Sequence, residues 1–211
     1  MKMIGTTLKF NRKPFKKITF NDSIGFILLI AYIIGFSIGI FLIINGNEMI
    51  FDFIKINFNS YIDFKSNSGF FSIFLYSFLM IFPYYFIAFI FGTCIIGNII
   101  LPGICTFLGI FYGTFISYIY NVYAISGIGF SLLLIAPCAV LYSALLIFTI
   151  RESICFSTMI LKNSLPSGTS LNFSKDLKIY SIRYLIFLSF NILISLLDAI
   201  FSYIFIKFFN F

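Results

Sequence analysis

The stretch Phe70 to Ile150, FFSIFLYSFLMIFPYYFIAFIFGTCIIGNIILPGICTFLGIFYGTFISYIYNVYAISGIGFSLLLIAPCAVLYSALLIFTI, runs for 81 residues without one formal charge. All fourteen Lys and Arg and all seven Asp and Glu of the 211-residue chain lie outside it. With 61% hydrophobic and only 10% charged residues overall, the chain cannot be a soluble globule. At 1.5 Å per residue the block is about 120 Å of helix, enough for three crossings of a hydrocarbon layer about 30 Å thick.

The block carries its own punctuation. Gly97-Asn98 followed by Pro102-Gly103 is one helix-breaking cluster, and Asn121 to Gly129, with Gly127 and Gly129, is another. These cuts place spans at about 70–96, 99–121 and 128–150. A rival reading makes 97–121 a re-entrant pair of half-helices, which is tolerated only inside protein or against a cavity. Segment 151–163 opens with Arg151-Glu152 and continues the fourth helix out of the bilayer.

Working outward, residues 24–44 form a first span behind a basic tail, 1–23, with Lys2, Lys9, Arg12, Lys13, Lys16 and Lys17. A cleaved signal peptide has a shorter apolar core, of about 7–15 residues, and a small-residue cleavage site. Here the run ends in Asn45-Gly46-Asn47, so an uncleaved span is expected. The last span, 183–209, follows a polar loop at Pro166-Ser167-Gly168. The expected fold is an all-α integral membrane bundle of about five transmembrane helices, 24–211, with an outer loop at 45–69 and a cytoplasmic segment at 151–182.

Basic residues in short flanking loops mark the cytoplasmic side. The tail has six, and 151–183 has five: Arg151, Lys162, Lys175, Lys178 and Arg183. The other side holds three, Lys55, Lys65 and Lys207. The N-terminus is therefore expected in the cytoplasm and the C-terminus outside, in a multi-pass protein of the cell membrane. The basic tail needs only retention and anionic lipid to explain it, and no nucleic acid.

Soluble enzyme chemistry is largely excluded. The chain has no His, so a Ser-His-Asp triad or an imidazole-ligated metal cannot be built. Cys94, Cys105, Cys138 and Cys155 are scattered singly without a C-x-x-C pair, which argues against zinc and disulfides and for small buried hydrophobes. No catalytic, cofactor-binding or metal-binding residue is expected.

Three features remain. Gly35-x-x-x-Gly39 and Gly109-x-x-x-Gly113 place glycines one turn apart, as close helix packing in membranes requires. They serve either packing within the bundle or a homodimer or partner-helix seam. Asp198 is the only acid inside an expected span, just past the middle of 183–209. Such an acid costs about 2.5–3.5 kcal/mol and faces the bundle or a cavity. Asn191, Ser195, Asp198 and Ser202 share one stripe of that helix. No cation in the other four spans can neutralise Asp198, which leaves it protonated, bonded to a neutral donor such as Asn98 or a Tyr, or paired with another chain's cation. Its role is then a packing hydrogen bond, a proton or ion relay, or a partner contact. Finally, residues 47–65 hold Ile50, Phe51, Ile54, Phe58, Tyr61 and Ile62 at helical spacing, an amphipathic helix on the outer surface. Phe51, Ile54, Phe58 and Tyr61 would contact membrane surface or an extracellular partner. Ile54, Ile56 and Phe58 also alternate with polar neighbours, which leaves a short strand open.

This order of features resembles the stage II sporulation protein M family of small polytopic membrane proteins. The resemblance rests on Gly35-x-x-x-Gly39 after a basic tail and on the outer stretch Met49 to Phe64. It continues through the turn Gly97-Asn98-Ile99-Ile100-Leu101-Pro102, the glycine-spaced span through Gly113 and the Ala136-Pro137 kink. It ends with Arg183-Tyr184 and Ser195-Leu196-Leu197-Asp198-Ala199. Members similar to this chain tend to have Glu where Asp198 stands, and a lysine that some carry beside Gly109 has no counterpart here. The resemblance implies a non-enzymatic membrane scaffold. It would hold single-span cell-wall hydrolases of the stage II sporulation protein D and P type during septal wall thinning and engulfment in endospore formation. Similar proteins also occur beside transport ATPases in bacteriocin gene clusters, which implies the alternative of a permease-like or immunity component of a peptide export system.

Overall fold

A computed structural model describes residues 22–46, 48–164 and 173–205. The basic tail, Asn47, the Pro166-Ser167-Gly168 loop and Lys207 lie outside the described residues. The chain is an all-α bundle: α1 (Asp22–Ile44), α2 (Glu48–Asn67), α3 (Phe70–Gly92), α4 (Gly97–Phe130), a π-helical segment Ser131–Ile135, α5 (Ala136–Asn163) and α6 (Phe173–Phe205). Among the described residues, five helical stretches are long and apolar enough to cross a membrane: Ser23–Ile44, Phe70–Gly92, Gly97–Ala124, Ser131–Asn163 and Phe173–Phe205. The chain is a multi-pass helical membrane protein.

The breakers act where backbone hydrogen bonding fails, which is not always where glycine and proline stand. The α3–α4 turn begins at Gly92, four residues before the expected end of that span. There the Ser157 hydroxyl donates to the carbonyls of Cys94, at 2.7 Å, and Ile95, at 3.3 Å. Pro102 does not stop α4: as the sixth residue of the helix it removes a single bond, to the Asn98 carbonyl in the first turn. Residues 97–124 therefore form one span and not two half-helices. The next reversal falls at Ala124, whose φ of 47° and ψ of −122° interrupt α4, ahead of Gly127 and Gly129.

The last helix starts at Phe173, ten residues before its expected start, because Lys175, Asp176 and Lys178 are compatible with a helix emerging into water. Asp198 stands nine residues past the middle of the described part of α6.

Packing follows the small residues. Gly35 backs onto the Thr106 carbonyl, Gly39 onto that of Ile110, Gly109 onto Tyr32 and Gly113 onto Phe36; a Cβ at any of the four would come within 2.1–2.5 Å of a backbone oxygen. The two glycine motifs are thus the two sides of one seam. Residue numbers rise together along it, so α1 and α4 run parallel, and α3 must cross back between them. Gly25 of α1 lies beside Arg151 of α5, which puts the start of α1 and the charged part of α5 at one end. α5 touches α1, α3, α4 and α6 and is the most buried of the five spans.

Candidate functional site

α2 is the helix that builds the site. Its residues 54, 58, 61 and 65 repeat at helical spacing and share one face. Phe58 is fully buried, with its ring 5.4–6.1 Å from those of Phe115, Tyr118, Tyr123 and Phe130. Phe51 packs on Tyr118, and Tyr61 on Phe115 and Tyr76. The opposite face carries Asp52, Lys55, Asn59 and Asp63, all exposed. The helix expected over 47–65 is present, but the face read as an outer contact surface points into the bundle. Aromatic burial against α4 outweighs what lipid headgroups could offer those rings.

One turn beyond Tyr61 the same face delivers Lys65, only 1% exposed. Its ammonium donates to both Asp198 oxygens, at 2.9 Å to Oδ2 and 3.1 Å to Oδ1, and to Ser202 Oγ at 2.9 Å. The Ser77 hydroxyl of α3 donates to Asp198 Oδ2 as well. The Tyr61 ring lies 4.5 Å below the ammonium, within cation–π range. Lys65 also sits in the last turn of α2, where a positive charge favours the helix dipole. Burial first, and then the nearby Asp198 charge, push the Tyr61 phenol well above its ordinary range, so it remains a neutral hydroxyl.

Asp198 is therefore paired, with a cation from its own chain. Lys65 lies outside the spans, and a lysine in a loop reads as a solvated charge. Its one visible signal was its register, four residues after Tyr61 on the apolar face. Asn98 plays no part, since it begins α4 at the opposite end of the bundle, near Ser157. The stripe Asn191, Ser195, Asp198 and Ser202 is buried throughout. Ser195 accepts from Tyr142 of α5 at 3.0 Å and donates to the Asn191 carbonyl at 2.8 Å. Tyr142 and Ser77 were not legible as site residues, because hydroxyls in apolar runs are common and only the packing of α3 and α5 on α6 singles them out.

Beside the ion pair is a cavity of about 70 Å3, lined by Asp198, Tyr61, Tyr76, Tyr112, Cys138 and Tyr142 among others. Tyr61 and Tyr76 also line an outward-opening groove between α2 and α4 of about 230 Å3. At the far end of α6 a second ion pair joins Arg183 to Glu152 of α5. Close by, the Tyr180 hydroxyl donates to the Phe89 carbonyl at 3.2 Å, and Ser153 contacts both Tyr180 and Tyr184. Cys105 and Cys138 are buried and Cys155 partly so, whereas Cys94 is exposed, because it sits in the α3–α4 turn with its backbone, and not its side chain, engaged.

No family model, curated protein or solved structure matches this chain.

Proposed function

We propose that the chain is a non-enzymatic membrane scaffold resembling stage II sporulation protein M, which assembles and anchors peptidoglycan hydrolases for septal wall thinning and engulfment during endospore formation. It would sit in the cell membrane with its N-terminus in the cytoplasm and its C-terminus outside. The observation that carries this reading is the direction of the polar contacts. The Asp198 charge, Ser195 and Ser202 of the α6 stripe and both glycine motifs are consumed by contacts within the chain. The outward faces of α3 and α6 are left apolar, with Phe71, Leu75, Leu79, Phe86, Leu185 and Leu193 exposed. A frame held rigid from within, with apolar sides turned to lipid, suits the capture of single-span partners, whose helices associate through packing.

The test is affinity purification of the tagged full chain from detergent-solubilised sporulating cells. Recovery of a membrane-anchored peptidoglycan hydrolase supports the scaffold, and its absence overturns it. A second reading, the permease-like or immunity component of a peptide export system, draws support from the cavity beside Asp198. It predicts a transport ATPase in the same purification.

A further inference from the structure

We propose that the α3–α5–α6 interface carries a water-bridged proton path between Asp198 and Glu152, an activity that does not depend on the scaffold reading. The polar groups of α6 that face its neighbours run from Ser202 through Asp198, Ser195, Asn191 and Tyr184 to Tyr180. They extend over 22 residues, about 33 Å of helix, which matches a hydrocarbon core of about 30 Å. An ion pair stands near each end, Lys65–Asp198 and Arg183–Glu152.

The outer third is a hydrated entry. The Asp198 carboxylate faces Lys65 of α2, Ser77 of α3, and Cys138 and Tyr142 of α5. It borders the cavity of about 70 Å3, whose lining residues Tyr61 and Tyr76 are shared with the outward-opening groove. A bound water needs about 10–15 Å3 of such space, so the cavity accommodates several. The inner third is a hydroxyl cluster of Tyr184, Ser153 and Tyr180, with Tyr180 in electrostatic range of the partly exposed Glu152.

The middle third is where the structure asks for a ligand. Asn191 is fully buried, and neither its side-chain oxygen nor its nitrogen has a hydrogen-bond partner. The buried Tyr85 hydroxyl of α3 has none either, and it lies in electrostatic range of both Tyr142 and Tyr184. The antiparallel register of α3 and α6 is fixed by Ser77 on Asp198 and by Phe89 on Tyr184. Midway between those contacts Asn191 falls level with Pro83, within a turn of Tyr85. A buried polar atom left without a partner is strongly unfavourable. Three such atoms close to one level, with no bulk water in the bilayer core, are met by a few bound waters.

Those waters complete a chain of groups that both donate and accept: Asp198, Tyr142, Ser195, the central waters with Tyr85, then Tyr184, Ser153 and Tyr180. A proton arriving from the groove forms an O–H bond on the Asp198 carboxylate, and that bond then breaks as the proton passes to the next acceptor. Each hydroxyl or water takes one proton on one side and releases its own on the other, and Glu152 takes up and releases the last. No electron moves, no heavy atom travels, and the transmembrane proton gradient supplies the drive.

The test uses the purified full chain in phospholipid vesicles with a trapped pH-sensitive dye and the membrane potential clamped. The expected result is faster collapse of an imposed pH gradient than in protein-free vesicles, while trapped sodium is retained. Asn191→Leu, which leaves both ion pairs in place, should return the rate to the protein-free value, whereas Asn191→Ser keeps a hydroxyl at that level and should retain flux. A wild-type rate equal to that of protein-free vesicles overturns the proposal, as does parallel leakage of sodium or an undiminished rate in Asn191→Leu. If Asn191→Leu fails to fold, the wild-type comparison decides alone.

Discussion

Lys65 Nζ lies 2.9 Å from Asp198 Oδ2 although 133 positions separate the two residues in the chain. This contact ties the end of a helix that does not span the membrane to the last helix that does. Removing one partner of a buried pair strands the other charge and costs about 3–5 kcal/mol, whereas replacing both with apolar groups of similar volume is often neutral or better. Lys65→Met alone should therefore lower the thermal unfolding midpoint in detergent sharply. Lys65→Met combined with Asp198→Leu should recover most of the loss, and a double variant as unstable as the single one would refute the pairing.

The glycine seam makes a prediction with opposite signs at two positions. A Cβ on Gly35 would stand 2.1 Å from the Thr106 carbonyl oxygen, and backbone cannot move aside as a side-chain tip can. Gly35→Ala should part α1 from α4 and lower stability measurably. Gly103, within α4, has nothing within 4 Å of its Cβ position, so Gly103→Ala should gain the ordinary helix preference of about 1 kcal/mol. Unfolding midpoints shifted in opposite directions are the expected readout.

Ala124 is the one described non-glycine residue with positive φ, at 47°. The conformation strains an L side chain and is free to glycine. Ala124→Gly should raise stability by about 1 kcal/mol and Ala124→Val should lower it, checked by denaturant titration of the reconstituted protein. An unchanged midpoint in both variants would mean that the reversal is placed elsewhere.

Orientation is testable with a cysteine already present. Cys94 is exposed in the α3–α4 turn, which the positive-inside count assigns to the cytoplasm, while Asp63 is exposed on α2 at the opposite end. A membrane-impermeant maleimide should label Cys94 in inverted vesicles and not in intact cells. Asp63→Cys should react in intact cells. The reverse pattern would invert the topology.

What the sequence made visible follows from what periodicity can and cannot encode. The apolar runs gave five spans, and the spacing of Asn191, Ser195, Asp198 and Ser202 gave a buried stripe, because both are properties of one helix. The helix over 47–65 was visible for the same reason. The identity of the facing helix was not. Lys65 meets Asp198 only because Phe58 plugs the aromatic cluster of α4 and fixes the rotation of α2, a contact between segments that share no local pattern. The start of α6 differs from the expected 183 because hydropathy reports where lipid stops, while a helix begins where its hydrogen bonds do. Ala124 carries a turn that Gly127 and Gly129 advertise, so composition pointed to the neighbourhood and missed the residue.

The parallel seam between α1 and α4 also orders events during synthesis. Gly39 emerges 74 residues before Gly113, and at about 5–20 residues per second the first helix must wait on the order of 10 s for its mate. Lys65 waits longer still, carrying an uncancelled charge until Asp198 is made. A nascent chain in that interval holds an open glycine groove and an unsatisfied lysine, so the window in which an insertase or chaperone must shelter this protein closes only when its final helix arrives.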